Sequence, residues 1–136
     1  MEIRPYESSD FNGVRALWQA AFPDDPVWNR AENAIPAKLA FQSELLLVAV
    51  EAQNIVGSVM AGYDGHRGWL YSVAVCESAR RGGLGTALVR EAEQALYALG
   101  CRKVNLQVRT TNKSVVRFYE SLGYAVEDRV SLGRRL

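Results

Sequence analysis

The sequence predicts an α/β fold in which helices cover both faces of a mixed, mostly antiparallel central sheet. Three observations lead to this fold class. Short apolar runs separated by turn residues fill the middle of the chain, segments of helical periodicity flank them, and a glycine-rich loop leads into a helix–strand–helix–strand order. With 136 residues, of which 49% are hydrophobic and 23% charged, we expect a single globular domain over residues 1–136.

The N-terminal part of the chain predicts one strand and two helices. Residues 2–6 are typical of a strand, and the Ser-Ser-Asp of residues 8–10 offers N-cap chemistry for a helix that ends near Phe22. A second helical stretch is expected over residues 27–41, kinked or divided at Pro36 because proline cannot donate a backbone hydrogen bond. Apolar residues at three- and four-residue steps place one face of the first helix against the core: Phe11, Val14, Leu17, Trp18 and Ala21.

The middle of the chain predicts three consecutive antiparallel strands. Residues 45–50, 55–63 and 69–75 are apolar and contain β-branched or aromatic side chains. The turn sequences Glu-Ala-Gln-Asn and Asp-Gly-His-Arg-Gly separate them. This pattern indicates a meander that forms the first half of the sheet.

The last part of the chain alternates helix and strand. Leucines and alanines at helical spacing predict a long helix from Gly83 to Gly100, which is a suitable left-handed cap. A buried strand over residues 104–108, a helix over residues 112–122 that begins at an asparagine N-cap, and a final strand over residues 124–132 follow. The predicted order is therefore β-α-α-β-β-β-α-β-α-β.

Composition and charge exclude several classes of function. Sixteen Lys and Arg against fifteen Asp and Glu give a net charge of +1, which offers no general attraction to nucleic acid or to an acidic membrane. No apolar run is long enough to span a membrane, and the N-terminus has no signal-peptide pattern. Two cysteines and one histidine predict no disulfide framework and no metal site. We therefore expect a cytoplasmic protein.

The most informative segment is the loop between residues 69–75 and the long helix. It combines two arginines with three glycines, at Arg80, Arg81, Gly82, Gly83 and Gly85. Glycines let the backbone approach an anion closely, and the free N–H groups and positive dipole end of a helix favour such a ligand. The pattern predicts a site for pyrophosphate or a similar anion. The alternative is a tight glycine-rich turn beside a solvated arginine pair.

Two common phosphate motifs, GxxxxGK[ST] and GxGxxG, do not fit this loop. The chain has R-x-x-G-x-G instead, at Arg80, Gly83 and Gly85, and further on an asparagine, Asn112, followed by Phe-Tyr-Glu-Ser-Leu-Gly-Tyr at residues 118–124. With these two signatures the chain resembles the GCN5-related N-acetyltransferase (GNAT) superfamily. In this family the glycine-rich loop binds the pyrophosphate of acetyl-coenzyme A.

The resemblance implies an enzyme that moves an acetyl group from acetyl-CoA to a primary amine by direct transfer in a ternary complex. The Gly-Tyr-Asp-Gly-His-Arg-Gly of residues 62–68 is similar to small bacterial members of the YpeA type, and the ribosomal-protein alanine acetyltransferases are similar in length and layout. The implied partners are acetyl-CoA and an amine acceptor, which could be a protein N-terminus or a small molecule. Family members form monomers and homodimers, so both states stay open.

The resemblance also assigns residues to the cofactor. In the family, the strand before the loop pairs its backbone with the pantetheine arm, which implies this role for Val73 and Val75. Asn112 would be a hydrogen-bonding group on the cofactor side. The loop and the first turn of the helix would bind the pyrophosphate, mainly through backbone N–H groups: Arg80, Arg81, Gly82, Gly83, Leu84, Gly85 and Thr86.

Tyr119, seven residues after Asn112, occupies the position of the family's general acid. Acetyl transfer releases a thiolate that needs a proton. The pKa of an unperturbed tyrosine, about 10, lies within roughly two units of that of a thiol, near 8.5. The alternative is a role in core packing, because Tyr119 shares a helical stripe with Val115, Phe118 and Leu122.

The resemblance does not provide a general base. Related enzymes carry a glutamate at the positions that Gln107 and Trp69 occupy here, and neither of these side chains accepts a proton at neutral pH. A non-catalytic acyl-CoA-binding sensor or regulatory module is therefore a second interpretation. Acceptor recognition is expected from the two N-terminal helices. The remaining candidates for the base are Glu44, Asp64, His66 and Tyr71.

Overall fold

The computed structural model describes residues 1–136 and contains a five-stranded sheet whose strands lie side by side in chain order. The first four strands pair antiparallel, and the last pairs parallel to the fourth. This arrangement confirms the predicted α/β class and the three-stranded meander. The strands are β1 (Glu2–Pro5), β2 (Leu46–Glu51), β3 (Asn54–Tyr63), β4 (Gly68–Val75) and β5 (Val104–Asn105).

Four α-helices accompany the sheet, and they correspond to the four predicted from periodicity. Their order in the chain confirms the predicted sequence of helices and strands up to the last helix. They are α1 (Phe11–Ala21), α2 (Ala31–Gln42), α3 (Leu84–Ala98) and α4 (Lys113–Ser121).

Helices pack on both faces of the sheet, as predicted. Successive residues of a strand point to opposite faces, and β3 shows this directly at Gly57 and Ser58. Leu88 of α3 approaches within 2.8 Å of the point where a Cβ on Gly57 would lie, whereas Trp18 of α1 donates a hydrogen bond to Ser58. The core between α1, α2 and the sheet includes Val14, Leu17, Trp18, Ile35, Leu46 and Val48.

The chain divides into two compact units, residues 1–106 and residues 107–136. The first unit holds the whole sheet with α1, α2 and α3, and the second holds α4. The prediction of a single domain over residues 1–136 stays a prediction. None of the helices combines the length and the apolar character that a membrane-spanning segment requires.

The second helical stretch is divided at Arg30 rather than at Pro36. A 3-10 turn, Val27–Asn29, precedes Arg30, whose backbone is extended with φ −68° and ψ 151°. Pro36 lies inside α2. Proline is tolerated there because both Pro36 and Glu32, whose carbonyl loses its usual N–H partner, are exposed to solvent.

The Ser-Ser-Asp segment does not cap α1 as predicted. Residues Ser8–Asp10 form a 3-10 turn, and Asp10 makes no side-chain hydrogen bond to the start of α1. Its carboxylate accepts two hydrogen bonds from Arg4, at 2.8 and 3.0 Å, and one from the backbone N–H of Glu7. A guanidinium and an N–H group together outcompete the helix end for the same two oxygens.

The predicted strands near the C-terminus are shorter or absent. β5 ends at Asn105 instead of residue 108, and no strand forms over residues 124–132. A strand requires a neighbour with which to exchange backbone hydrogen bonds, and β5 is paired over only two residues. The final segment also lacks a buried face, since Val126, Val130 and Leu132 are 76%, 86% and 92% exposed.

Candidate active site

One edge of β4 is open for most of its length. The parallel pairing with β5 covers only two pairs, Gly68 with Val104 and Trp69 with Asn105. From Leu70 to Val75, β4 therefore has a strand neighbour on its β3 side alone. An edge with unpaired N–H and C=O groups can accept an extended ligand as an additional strand. This edge includes Val73 and Val75, the two residues predicted to pair with pantetheine.

A β-bulge changes the course of β4 beside this edge. Ser58 of β3 is opposite Ala74, whereas Met60 is opposite Tyr71, so β4 contains one more residue than β3 over this stretch. Ser72 lies within the extra stretch and has φ +52°, a left-handed conformation that is uncommon for a residue with a side chain. Bulges redirect the backbone at sheet edges and occur next to ligand sites.

Two hydrogen bonds, the first buried and the second part-buried, connect the bulge to α1. The indole N–H of Trp18 donates to the hydroxyl oxygen of Ser58 at 2.8 Å. The Ser58 hydroxyl donates in turn to the backbone carbonyl of Ser72 at 2.9 Å. Trp18 is 4% and Ser58 0% exposed, so water cannot replace the bond between them. The chain Trp18–Ser58–Ser72 thus holds the bulge in its position, because breaking it would leave buried polar groups without partners.

The loop after β4 exposes backbone N–H groups. After a 3-10 turn, Glu77–Ala79, the backbone enters the left-handed region at Arg81 (φ +71°) and again at Gly83 (φ +80°). The N–H groups of Arg81 and Gly82 make no hydrogen bond within the protein. No atom lies within 4 Å of the point where a Cβ on Gly83 would be. The loop therefore has both the donors and the space for an anion.

The N-terminus of α3 continues this group of donors. Gly83 is the N-cap and has no side chain with which to cap the helix, so the N–H groups of Leu84, Gly85 and Thr86 have no intrahelical acceptor. The Leu84 side chain is buried and packs against Gly57 of β3, which fixes the helix end relative to β4. The helix dipole adds positive potential at this position.

Arg80 reaches back to the end of β4. Its backbone is extended, with φ −69° and ψ 155°, and its Nε donates to the carbonyl oxygen of Val75 at 3.2 Å. This bond links the first residue after the 3-10 turn to the last residue of the strand. The two terminal nitrogens of the guanidinium stay available for an anion.

Of the two predicted site residues of the second unit, Asn112 immediately precedes α4 and Tyr119 lies on it. Asn112 is at the N-cap position but makes no side-chain cap bond, contrary to prediction; its Oδ1 accepts a hydrogen bond from the Ser114 hydroxyl instead. Tyr119 is 8% exposed and packs edge-on against the rings of Phe118 and Tyr124. Burial raises the pKa of its phenol to about 12.

Two of the four candidates for a general base, Asp64 and Tyr71, are engaged in other contacts or unsuited to the role. Asp64 Oδ1 accepts the backbone N–H groups of Arg67 and His66 at 2.8 Å each, and these two bonds lower the pKa of Asp64. Burial, with a smaller contribution from Asp64, raises the pKa of Tyr71, which keeps that phenol protonated at neutral pH. Gln107, at the position of the family's glutamate, donates to the hydroxyl of Ser131.

Sequence reasoning did not identify Lys38 as a residue of interest. Its ammonium lies on the α2 side of the sheet, 3.7 Å from the point where a Cβ on Gly62 would be. It donates a long hydrogen bond, 3.4 Å, to the side-chain oxygen of Gln42. A single lysine in a helix has no sequence pattern that marks it as a site residue. Its position beside Gly62, 24 residues further along the chain, becomes visible only in the folded structure.

A family model and a sequence relative identify the family of the chain, and solved structures show the same fold. The family model described as acetyltransferase (GNAT) family matches residues 11–124. An acetyltransferase of Yersinia enterocolitica is 45% identical over 136 residues, which covers 100% of this chain and 96% of the relative. Among solved structures, Ard1 from Thermoplasma volcanium has a TM-score of 0.83 at 24% identity and covers 93% of this chain and 83% of its own. An aminoglycoside N-acetyltransferase in complex with CoA has a TM-score of 0.79 at 18% identity, over 98% and 93% of the two chains.

Proposed function

Because the chain belongs to the GNAT acetyltransferase family, we propose that it transfers the acetyl group of acetyl-CoA to a primary amine by direct transfer in a ternary complex. Family membership confirms the resemblance drawn from the two sequence signatures. The observation that carries the proposal is the open edge of β4, from Leu70 to Val75, which leads within a few residues to the free N–H groups of Arg81 and Gly82. The open edge of β4 can pair with an extended chain that contains amides, and the free N–H groups of the loop can bind a pyrophosphate.

The pantetheine arm of acetyl-CoA is proposed to pair with the backbone of Val73 and Val75. The arm contains two amide groups, which suit an unpaired strand edge. The bulge at Ser72 supports this placement, since it turns the β4 backbone away from regular pairing at the point where a ligand would begin. Because the contacts involve the backbone, side-chain substitutions at Val73 and Val75 are expected to have small effects.

The pyrophosphate is proposed to bind the N–H groups of the loop and of the first turn of α3. Arg80 would contribute a guanidinium from one side, while Asn112 would contribute a hydrogen bond on the cofactor side. Charge-assisted hydrogen bonds to a phosphate are shorter and stronger than neutral ones. The remaining donors are Arg81, Gly82, Gly83, Leu84, Gly85 and Thr86.

The reaction requires a neutral amine, which attacks the thioester carbonyl so that a C–N bond forms and the C–S bond breaks. Tyr119 is proposed to donate to the departing sulfur. With a pKa of about 12, its phenol is fully protonated at neutral pH, and complete proton transfer to a thiolate of pKa near 8.5 would be uphill by about 5 kcal/mol. We therefore assign Tyr119 the role of a hydrogen-bond donor that stabilises the developing thiolate, while solvent supplies the proton after release.

The proposal also covers the general base, the domain organisation, the oligomeric state and the localisation. No residue is assigned as the base, so the amine is proposed to enter in its neutral form or to lose its proton to water. The proton that the nitrogen releases as the amide forms also goes to water. The chain is proposed to act as one domain over residues 1–136, as a monomer or homodimer, in the cytoplasm, where acetyl-CoA is available.

The experiment that tests the function is initial-rate measurement of thiol release from acetyl-CoA with a panel of amines and short peptides, preceded by calorimetric titration with acetyl-CoA, CoA and NAD. A ternary-complex enzyme gives double-reciprocal lines that intersect, whereas a covalent intermediate gives parallel lines. Binding of CoA without turnover of any amine would select the acyl-CoA sensor. No binding of acetyl-CoA or CoA would contradict both interpretations.

A further inference from the structure

An ammonium group with few partners lies above β3, on the face of the sheet that carries α1 and α2. Lys38 is half-buried, and its Nζ lies beside Gly62, 3.7 Å from a Cβ built on that glycine. The Gln42 side chain oxygen lies 3.8 Å from the same point. A Cβ at position 62 would be in van der Waals contact with both polar groups, so Gly62, Lys38 and Gln42 form one local arrangement.

The hydrogen bonds of this arrangement leave most of the ammonium unused. Gln42 accepts the backbone N–H of Tyr63 at 3.1 Å and donates to the carbonyl of Tyr63 at 2.9 Å, which fixes its amide. Lys38 shares the same amide oxygen at 3.4 Å and makes no ion pair. An ammonium has three donors, so two of them are without protein acceptors.

The electrostatics of the site agree with this geometry. Burial lowers the pKa of Lys38, and the negative charge of Glu44 opposes that effect without forming an ion pair. A half-buried cation that lacks a carboxylate partner has a lower free energy when a ligand supplies one.

The position of the ammonium places it beside the acetyl-transfer end of the cofactor site. Gly62 is paired with Trp69 of β4, and the half-exposed ring of Tyr71 lies 3.9 Å from the Cβ position on Gly62. The next residue of β4 is Ser72, where the bulge begins. A molecule that occupies the space between Lys38 and Tyr71 would thus be next to the start of the proposed pantetheine edge.

From these contacts we propose that Lys38 binds an anionic group, a carboxylate or a phosphate, of the amine acceptor. The acceptor class is then a primary amine with an anionic group close to the amino group, in contrast to a neutral amine or a polyamine. Lys38 is a specificity-determining residue here and takes no part in the bond-making step. This inference rests on the proposed acetyl transfer, since it defines the acceptor of that reaction.

The test uses binding of bisubstrate analogues, because their affinity does not depend on turnover. Three compounds are compared by calorimetry. In each of them, CoA is joined through an S-acetyl linker to the nitrogen of an amine, which is glycine, aminomethylphosphonate or glycinamide. The first two carry a carboxylate and a phosphonate, and the third is neutral. They are titrated into the full chain as wild type, Lys38→Met and Lys38→Arg, with Lys103→Met as a control that removes the same charge elsewhere.

We expect wild type to bind at least one anionic analogue about tenfold more tightly than the neutral one, as one charge-assisted hydrogen bond would provide. Lys38→Met should remove this difference, Lys38→Arg should keep most of it, and Lys103→Met should leave it unchanged. CoA alone should bind all four proteins with the same affinity. Whether the carboxylate or the phosphonate is preferred identifies the anionic group.

Two results would overturn the inference on Lys38 alone. In the first, wild type binds CoA but does not distinguish the charged analogues from the neutral one. In the second, the preference persists in Lys38→Met. Absence of CoA binding by wild type would be a different failure, because it contradicts the proposed function and removes the acceptor site together with it.

Discussion

Two adjacent regions of the chain, the loop after β4 and the bulge within β4, contribute to the same proposed site but are stabilised in different ways. The loop is exposed, and its left-handed residues, Arg81 and Gly83, are set by a local run of glycines and arginines. The bulge at Ser72 contains no glycine. It depends on Ser58 and on Trp18, which is 40 residues from Ser58 in the sequence.

The difference shows which features of a site a sequence motif can encode. A motif specifies backbone conformation where neighbouring residues determine it, as in the loop. Hydrogen bonding and pKa depend on residues that are neighbours in space, as in the bulge and at Tyr119. Substitutions in the two classes should therefore have different consequences. Those in the loop should affect mainly ligand binding, with a small backbone strain, and those in the bulge should affect stability and binding together.

The largest expected effect is that of Gly83→Asp in the loop. A carboxylate at this position would lie among the proposed phosphate donors and would repel the pyrophosphate, so we expect acetyl-CoA affinity to fall by more than about 100-fold. Stability should fall by only about 1 kcal/mol, the cost of a side chain at φ +80°, because no atom lies within 4 Å of the Cβ position. Calorimetry and thermal unfolding measure the two effects separately.

Gly65→Asp is the matched control for this prediction. Gly65 also has a positive φ, +91°, and open space around it, but it lies in the turn between β3 and β4. Its substitution should leave acetyl-CoA affinity within about twofold of wild type. Equal losses in the two variants would show that the loop has no special role.

The next effect in size is that of Tyr119→Phe. The variant removes only the phenol hydroxyl, so we expect kcat to fall about 10- to 100-fold, as for loss of one donor to a developing negative charge. The KM for acetyl-CoA should stay within about threefold, since the proposed contact forms during the reaction. An unchanged kcat would assign Tyr119 to packing with Phe118 and Tyr124 alone.

Ser58→Ala tests whether the bulge depends on its buried hydrogen bonds. The substitution leaves the Trp18 N–H and the Ser72 carbonyl without their partner, which should destabilise the protein by about 1–3 kcal/mol. It should also raise the KM for acetyl-CoA about fivefold, because the open edge of β4 is no longer held. Denaturant unfolding and initial rates measure these effects.

Ser9→Ala is the control for the bulge, since Ser9 is exposed on the turn before α1. Ser9→Ala should change the stability by less than about 0.5 kcal/mol and the KM for acetyl-CoA by less than about twofold. A loss of stability in Ser58→Ala with an unchanged KM would mean that Ser58 stabilises the core but does not position the cofactor edge.

The smallest expected effect is in the alkaline pH dependence of kcat/KM. A group with a raised pKa keeps its proton to a higher pH, so Tyr119, with a pKa of about 12, should cause no decrease in kcat/KM up to about pH 11. An unperturbed tyrosine would cause a decrease that begins near pH 10. A decrease near pH 10 that is absent in Tyr119→Phe would show that burial does not control this phenol during catalysis.

The sequence was sufficient for features that depend on local chemistry. Periodicity predicts α1, α3 and α4 with small errors at their ends, and the cap glycine Gly100 is left-handed as predicted, with φ +99°. The glycine-rich loop is likewise where the motif places it.

Features that depend on side-chain contacts and burial in the folded chain were missed or were wrong. The Ser8–Asp10 turn fails as a cap because Arg4 engages Asp10. The final strand is absent where Val126, Val130 and Leu132 are exposed and leave the segment without a buried face. The pKa of Tyr119 departs from its ordinary value because its ring is buried against Phe118 and Tyr124. Lys38 was missed because only the folded structure places its ammonium beside Gly62.

The most direct test of the central claim, that the open edge of β4 and the following loop bind acetyl-CoA, is amide hydrogen exchange with and without the ligand. We predict that acetyl-CoA slows exchange at residues 72–75 and 81–86 and leaves the turn between β2 and β3 unchanged. Binding without protection of residues 72–75 and 81–86, or with protection confined to other segments, would contradict the account.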